Sequence, residues 1–221
     1  MSIALEILAV SAGQPASLGH WQGQPVLSGI RKVPLLGDTV DVRTTNIAGD
    51  GQADMTVHGG ADKAVYAYPA DHWPWWKAEA NFDAAPASFG ENLTVHGADE
   101  HAIRIGDQFA WGQVVLEVSQ PRAPCFKFAM FTGREDLSAR MTVSTRTGWY
   151  FRVLKPGAAP LKGTLARLHT GENQPSVREA FIAVYHPRVM SDVAEKVLAA
   201  PALSSAWRSG LQKRLAAALN L

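Results

Sequence analysis

The spacing of apolar residues changes character near residue 172, and that change limits the folds open to this 221-residue chain. Ahead of it, short β-branched and aromatic runs alternate with turns bearing Gly, Pro and Asp, which is the pattern of paired strands. Beyond Pro175 the period becomes helical. Ser176 followed by Glu179 is a capping-box signature, and Val177, Ala180, Phe181 and Val184 fall on one helical face. Two further helices are expected at about 187–199 and 204–220, divided by Ala200-Pro201-Ala202, with Trp207, Leu211, Leu215 and Leu219 lining the last. The expectation is a mainly β (α+β) fold, with a β-rich body over residues 1–172 and a small three-helix unit over 173–221.

Within the body, strands are expected at 3–10, 64–68, 93–95, 103–109, 111–118, 149–154 and 165–168, with hairpins between 28 and 42. The Gly- and Pro-rich stretch 11–25 reads as loop. Asp71 is placed to cap a helix running to about Ala80, since Pro74 is tolerated only in a first turn. Trp73, Trp75 and Trp76 on that helix read as core anchors rather than a base-stacking platform. One or two short helices are expected over 129–141.

Composition excludes more than it assigns. Lysine and arginine total 21 against 20 acidic residues, so nothing suggests a general polyanion-binding surface, and a nucleic acid polymer is not expected as partner. A single cysteine rules out an internal disulfide framework and fits a reducing compartment. No run approaches the roughly 18 apolar residues of a membrane span, and Glu6 interrupts the apolar start. A soluble, cytoplasmic protein without a membrane partner is the expectation.

The one cysteine closes the stretch Ser119-Gln120-Pro121-Arg122-Ala123-Pro124-Cys125 at the end of a strand, with Arg122 and Lys127 on either side. Two roles fit Cys125: a small buried hydrophobe, or a thiolate favoured by the cationic flank. His58-Gly59-Gly60-Ala61-Asp62-Lys63 admits a close backbone approach to a ligand, with turn amides as an anion nest, or an ordinary glycine turn. No histidine pattern suits structural zinc, and the nucleophile elbow, P-loop and dinucleotide fingerprints are absent. A Cys125–His58 nucleophilic pair remains open.

Taken in chain order, several pieces resemble the MOSC-domain family (molybdenum cofactor sulfurase C-terminal domain), and within it the bacterial YiiM-type proteins. They are Ser28-Gly29-Ile30-Arg31-Lys32-Val33-Pro34, Gly49-Asp50-Gly51-Gln52-Ala53-Asp54, and Val57-His58-Gly59-Gly60-Ala61-Asp62-Lys63-Ala64-Val65. Tyr68-Pro69, Phe89-Gly90-Glu91-Asn92-Leu93, Ile105-Gly106-Asp107 and the Cys125 stretch follow. The resemblance spans residues 20–170, and the helical tail is similar in character to the YiiM-type three-helix domain.

The resemblance implies a MOSC-type β-barrel holding the molybdenum cofactor, with Cys125 as metal ligand. It makes Lys32, His58, Gly59, Gly60, Asn92, Arg122 and Cys125 the cofactor contacts, and His58 and Asp62, beside Cys125, the catalytic groups that handle protons. The implied activity is reduction of N-hydroxylated compounds, such as nucleobase analogues and hydroxylamines, serving to detoxify mutagenic bases. Electrons would come from a separate reductase, because no flavin, haem or iron–sulfur motif is present. A homodimer is compatible with the amphipathic tail. The rival reading is a molybdenum cofactor or sulfur carrier that uses Cys125 without turnover.

Overall fold

The structure, a computed structural model, describes residues 3–53, 59–171, 173–185 and 191–219. In chain order it contains β1 (Ala4–Ala12), β2 (Ala16–Trp21), β3 (Gln24–Ser28), β4 (Val33–Pro34), β5 (Thr39–Val42) and β6 (Val65–Pro69). Then come α1 (Trp73–Ala80), β7 (Leu93–His96), β8 (Gln108–Trp111), β9 (Val114–Pro121), α2 (Phe126–Thr132) and α3 (Asp136–Ser144). The body ends with β10 (Trp149–Lys155), β11 (Gly157–Pro160) and β12 (Gly163–His169), and is followed by α4 (Val177–Tyr185), α5 (Ser191–Ala199) and α6 (Ser205–Leu219).

Seven strands close a barrel in the order β12-β8-β9-β10-β6-β7-β1, with β1 pairing back to β12 and β4 extending the sheet from β1. Only the β6–β7 step is parallel; the chain crosses between those two strands by way of α1. Alternation along β6 explains why all five of its residues are buried. Val65 and Ala67 join the main apolar cluster, while Tyr66 and Tyr68 face a second cluster with Trp76, Phe89, Phe128, Leu137 and Met141. That second layer packs α1, α2 and α3 against the barrel and supports the segment that carries Cys125. Trp76 is fully buried in it, with Trp73 and Trp75 packed alongside, as anchors should be.

The tail forms three helices, and its start is held as the capping box requires. The Ser176 amide donates to Glu179 Oε2 at 2.7 Å, and the Glu179 amide donates to Ser176 Oγ at 3.1 Å. Phe181, Trp207 and Leu211 belong to the same apolar cluster as the barrel core, so the helices pack onto the barrel as one continuous core. The Ser204 hydroxyl donates to Gln120 Oε1 at 2.7 Å and its amide donates to the Ser119 carbonyl at 3.0 Å, tying the start of α6 to the strand that leads to Cys125. Ser176→Ala removes the acceptor of the Glu179 amide while leaving the residue-176 amide on Glu179 Oε2, and should cost about 1 kcal/mol. In a chain this size that lowers Tm by about 2–4 °C, readable by calorimetry.

Several local expectations were displaced by distant contacts. Residues 16–28 form a hairpin rather than loop, because Gln22 (φ 50°) and Gly23 (φ 77°) make the left-handed two-residue turn that joins Trp21 to Gln24. The pieces between 28 and 42 do not pair with each other: β4 joins β1 and β5 joins β11. The strand expected from Ile103 begins only at Gln108, and Trp111 ends one strand before a turn at Gly112, with the Cys125 strand starting at Val114. Asp71 does not cap α1; its carboxylate accepts from the Gly97 amide at 3.1 Å and pairs with His96 Nδ1 at 2.9 Å. The expected second tail helix is described only from Ser191, its earlier residues lying outside the described set. No helix among the described residues is long and apolar enough to cross a membrane.

Candidate functional site

Where β9 ends, Pro121 still sits opposite Trp149 in the β10 ladder, and the Arg122 amide donates to the Gly148 carbonyl at 3.3 Å. Beyond Arg122 the chain leaves the sheet, since proline cannot donate to a ladder. Cys125 is extended (φ −136°, ψ 168°) immediately before α2, its carbonyl accepting from the Phe128 amide at 3.0 Å. The thiol is partly exposed and lines a cleft at one end of the barrel.

Lys32, Asn92, Arg122 and Cys125, separated widely in sequence, all border this cleft. Lys63 and Lys127 border it too, and Asp50 is the one acidic residue among its described lining residues, so among these, four cationic side chains face one carboxylate. In a chain of net charge +1 that is a strong local bias. Arg122 is only 5% exposed. Its Nη1 donates to Met141 Sδ at 3.0 Å, and its guanidinium lies over the rings of Phe128 (4.9 Å) and Tyr66 (5.3 Å). Tyr150 also lines the cleft, and the Arg122 charge opposes the burial that raises its phenol. No carboxylate among the described residues forms an ion pair with Arg122. A buried cation without an anionic protein partner is costly unless a ligand supplies the charge.

The floor of the cleft is backbone. A Cβ on Gly29 would lie 2.2 Å from the Gly51 carbonyl oxygen, and one on Gly90 (φ 77°) 2.5 Å from Ile30 Cγ1. These close crossings are fixed by Asp50, which sequence reasoning quoted but gave no role. Its Oδ1 accepts from the Gly13 amide at 2.9 Å and from Lys32 Nζ, and its Oδ2 accepts from Asn92 Nδ2 at 3.0 Å. Burial pulls Lys32 below the usual lysine range, while Asp50 and then Glu91 draw it back up without restoring it. Asn92 also donates to the Ser11 carbonyl at 3.2 Å and accepts from the Tyr66 amide at 3.1 Å. Both amide hydrogens of Asn92 are therefore used inside the protein, and it positions Asp50 and two strands rather than offering donors to a ligand.

Other expected site residues are engaged elsewhere. Asp62 is not on the cleft: its Oδ1 pairs with Arg152 Nη2 at 2.8 Å, and Arg152 also pairs with Glu117 at 2.7 Å. An acid held in that surface network is not a proton donor to the cleft. The Gly60 amide donates to Gln52 Oε1 at 3.3 Å, so it is not a free member of an anion nest, and neither Gly59 nor Gly60 lines the cleft. Gln52 does, holding the 60–63 turn by a further bond from Nε2 to the Lys63 carbonyl at 3.2 Å. His58 lies outside the described residues. Among the described residues no three His, Cys, Asp or Glu side chains converge as a metal-ligand set.

A seven-stranded barrel with a lone thiol beside a cationic, glycine-floored cleft can be compared with known proteins. Residues 54–173 match the MOSC domain and residues 175–218 the YiiM-like, 3-alpha helix domain. The chain belongs to the MOSC-domain family. It is 38% identical over 208 residues to the uncharacterized protein YflK of Bacillus subtilis, covering 94% of this chain and 93% of that one. The MOSC body and its helices superpose on the crystal structure of YiiM from Geobacillus stearothermophilus with TM-score 0.79 and 30% identity, covering 96% of this chain and 99% of that one. A protein named reductase from Gibberella moniliformis is 40% identical over 121 residues, 51% of this chain but 21% of the fungal protein. The barrel, the helical tail and the family expected from the sequence are thus the ones found.

Proposed function

We propose that this MOSC protein is a molybdenum-cofactor-dependent reductase of N-hydroxylated compounds, supplied with electrons by a separate reductase. The observation that carries the reading is Arg122, a buried guanidinium with no carboxylate partner among the described residues, on the cleft that Cys125 also borders. The residues fit such a group. Arg122, Lys32, Lys63 and Lys127 suit its phosphate and oxygens, the Gly29–Gly51 floor admits a flat ring system against backbone, and Cys125 offers a soft thiolate. With no other protein ligands gathered among the described residues, the remaining ligands of a metal at Cys125 would come from the pterin itself.

When bound, the cofactor supplies two-electron redox chemistry at a metal held by Cys125. The balance is R–NH–OH plus two electrons and two protons giving R–NH2 and water, so proton-bearing groups are needed near the thiol. Tyr150 and Lys32 take the part once expected of Asp62. Desolvation pushes the Tyr150 phenol up, with Arg122 opposing, so it stays a donor across the neutral range. The family match and the reductase-named fungal relative support this reading.

Protein purified from a host that makes the cofactor should carry stoichiometric molybdenum and pterin. It should also reduce an N-hydroxylated purine with a chemical electron donor. Cofactor without turnover of any N-hydroxylated compound would point to the carrier role. Absence of both molybdenum and pterin would sink the proposal.

A further inference from the structure

Glu100, between β7 and β8, is a carboxylate only 2% exposed that the proposed chemistry does not use. Its Oε2 lies 2.7 Å from Nε2 of His72, the residue before α1 and itself buried. Its Oε1 accepts from the Gly148 amide at 2.6 Å. None of the three residues lines the cleft. A carboxylate out of water is costly unless its oxygens are hydrogen-bonded, and one of these two bonds goes to the backbone of a turn.

That turn, residues 145–148 between α3 and β10, carries Arg122. The Gly148 carbonyl accepts from the Arg122 amide at 3.3 Å, and Gly148 itself (φ 66°) is pressed against β6, where a Cβ would lie 2.2 Å from the Ala67 carbonyl oxygen. Two phenols of β6 hold the turn: Tyr66 donates to the Thr147 carbonyl at 2.7 Å and Tyr68 to that of Arg146 at 3.3 Å. Burial pushes both phenols well up, so they remain donors. The Tyr66 ring also lies under the Arg122 guanidinium. The tail reaches the same place: the Arg178 amide donates to the Glu100 carbonyl at 2.9 Å, and Arg178 Nε to Thr145 Oγ1 at 3.2 Å.

We infer that Glu100 is a positioning residue for the cleft: locked by His72, it holds the 145–148 turn from which the Arg122 backbone hangs, and so fixes where the buried guanidinium meets an anionic ligand. The thioether and the two ring faces around that guanidinium lack the fork geometry of a carboxylate, so its aim has to come from the backbone that carries it. Glu100 acts by two routes. One runs through the Gly148 peptide to the Arg122 amide, the other through the turn to the Tyr66 ring. The inference rests on the reading of Arg122 as a ligand contact, and Glu100 acts through that side chain without touching the ligand.

The test compares cofactor-free wild type with Glu100→Ala, Glu100→Gln and Tyr66→Phe. Nitrogen NMR relaxation of the Arg122 Nε–H should give an order parameter of about 0.85 in wild type and below about 0.6 in Glu100→Ala. Affinity for inorganic phosphate, read by calorimetry, should fall about tenfold in Glu100→Ala, as changes one shell beyond a contact do. Glu100→Gln keeps an acceptor for the Gly148 amide and should recover most of both. Tyr66→Phe loses only the tie to Thr147 and keeps its ring; it should move both readouts the same way by less, and it serves if Glu100→Ala does not fold. In an Arg122→Met background Glu100→Ala should weaken phosphate binding by less than about twofold while its loss of Tm persists.

An ordered Arg122 and unchanged phosphate affinity in Glu100→Ala, with only Tm lowered, would reduce Glu100 to scaffold and overturn the inference. Equal weakening by Glu100→Ala with and without Arg122 would overturn it too, since the effect would not run through that side chain. Phosphate binding that depends on Glu100 as expected, in protein that gains no molybdenum or pterin from a host making the cofactor, would sink the reductase reading and leave Glu100 its role.

Discussion

Cys125→Ala is expected to lower turnover of N-hydroxylated substrates by at least about 100-fold, while the purified protein keeps most of its pterin. The magnitude follows from metal sites generally, where changes one shell beyond the ligands already cost about 10–100-fold, so removal of a ligand should cost no less. Pterin retention should survive because its charged end would be held by Arg122 and the lysines, none of which depends on the thiol. Folding should be indifferent, since Cys125 is only partly buried, and its substitution belongs with surface changes of about ±0.5 kcal/mol.

Arg122→Met is the complementary variant. It keeps an apolar stem against Phe128 and Tyr66 but removes the buried charge, and should weaken retention of pterin and molybdenum together by at least about 30-fold. Metal analysis and pterin fluorescence on the two purified variants check the split. Equal loss of pterin in both would mean that the thiol and the cationic cleft do not serve separate ends of one ligand.

Gly29→Ala should be among the most damaging single-methyl changes in the body. Its new Cβ would sit 2.2 Å from the Gly51 carbonyl oxygen and 3.4 Å from that of Gly13, both rigid backbone. Gly51 cannot retreat freely, because it lies against Pro15 and Gln14, and its neighbour Asp50 is fixed by Gly13, Lys32 and Asn92. Overpacking of this kind costs about 1–3 kcal/mol, occasionally more, and the upper end is expected here. For a chain of this size about 3 kcal/mol corresponds to roughly 6–12 °C in Tm.

The same substitution at Gly210, inside α6 with open space around it, should instead stabilise by about 0.5–1 kcal/mol. Calorimetry of both variants tests the sign as well as the size. A Gly29→Ala protein as stable as wild type would show that the cleft floor can give.

How much of this could be read from the chain depends on range. The capping box at Ser176 and Glu179 is local, and it was legible; so were the tail helices and most barrel strands, whose patterns are carried by neighbouring residues. The hairpin at 16–28 was hidden because Gln22 adopts a left-handed conformation that its residue type does not advertise. β11 was missed because Gly157-Ala158-Ala159-Pro160 has no strand propensity and is recruited by β5 from far away in sequence. At the site, residue types suggested Lys32, Asn92, Arg122 and Cys125, and folding gathers them on one cleft. Nothing in the sequence announced that Arg152 would claim Asp62, that Gln52 would claim the Gly60 amide, or that Asp50 would organise the floor. Those outcomes are decided by pairings between distant segments. Asp50 carried one clue, a carboxylate between glycines Gly49 and Gly51.

The pairing of β1 with β12, Ala4 opposite Ala166, has a consequence for synthesis of the chain. The first strand made has to wait for the last strand of the barrel, so closure depends on contacts of very high sequence separation. Such topologies are slow to form relative to helical ones. A nascent chain that has already emerged past Cys125 still lacks Gly163–His169, and its barrel is an open sheet with an unpaired β1 edge. Barrel closure, and with it completion of the cleft that would take the proposed cofactor, is thus a late event, available only to chains translated beyond the closing strand, and the interval before it is when this protein is most exposed to aggregation.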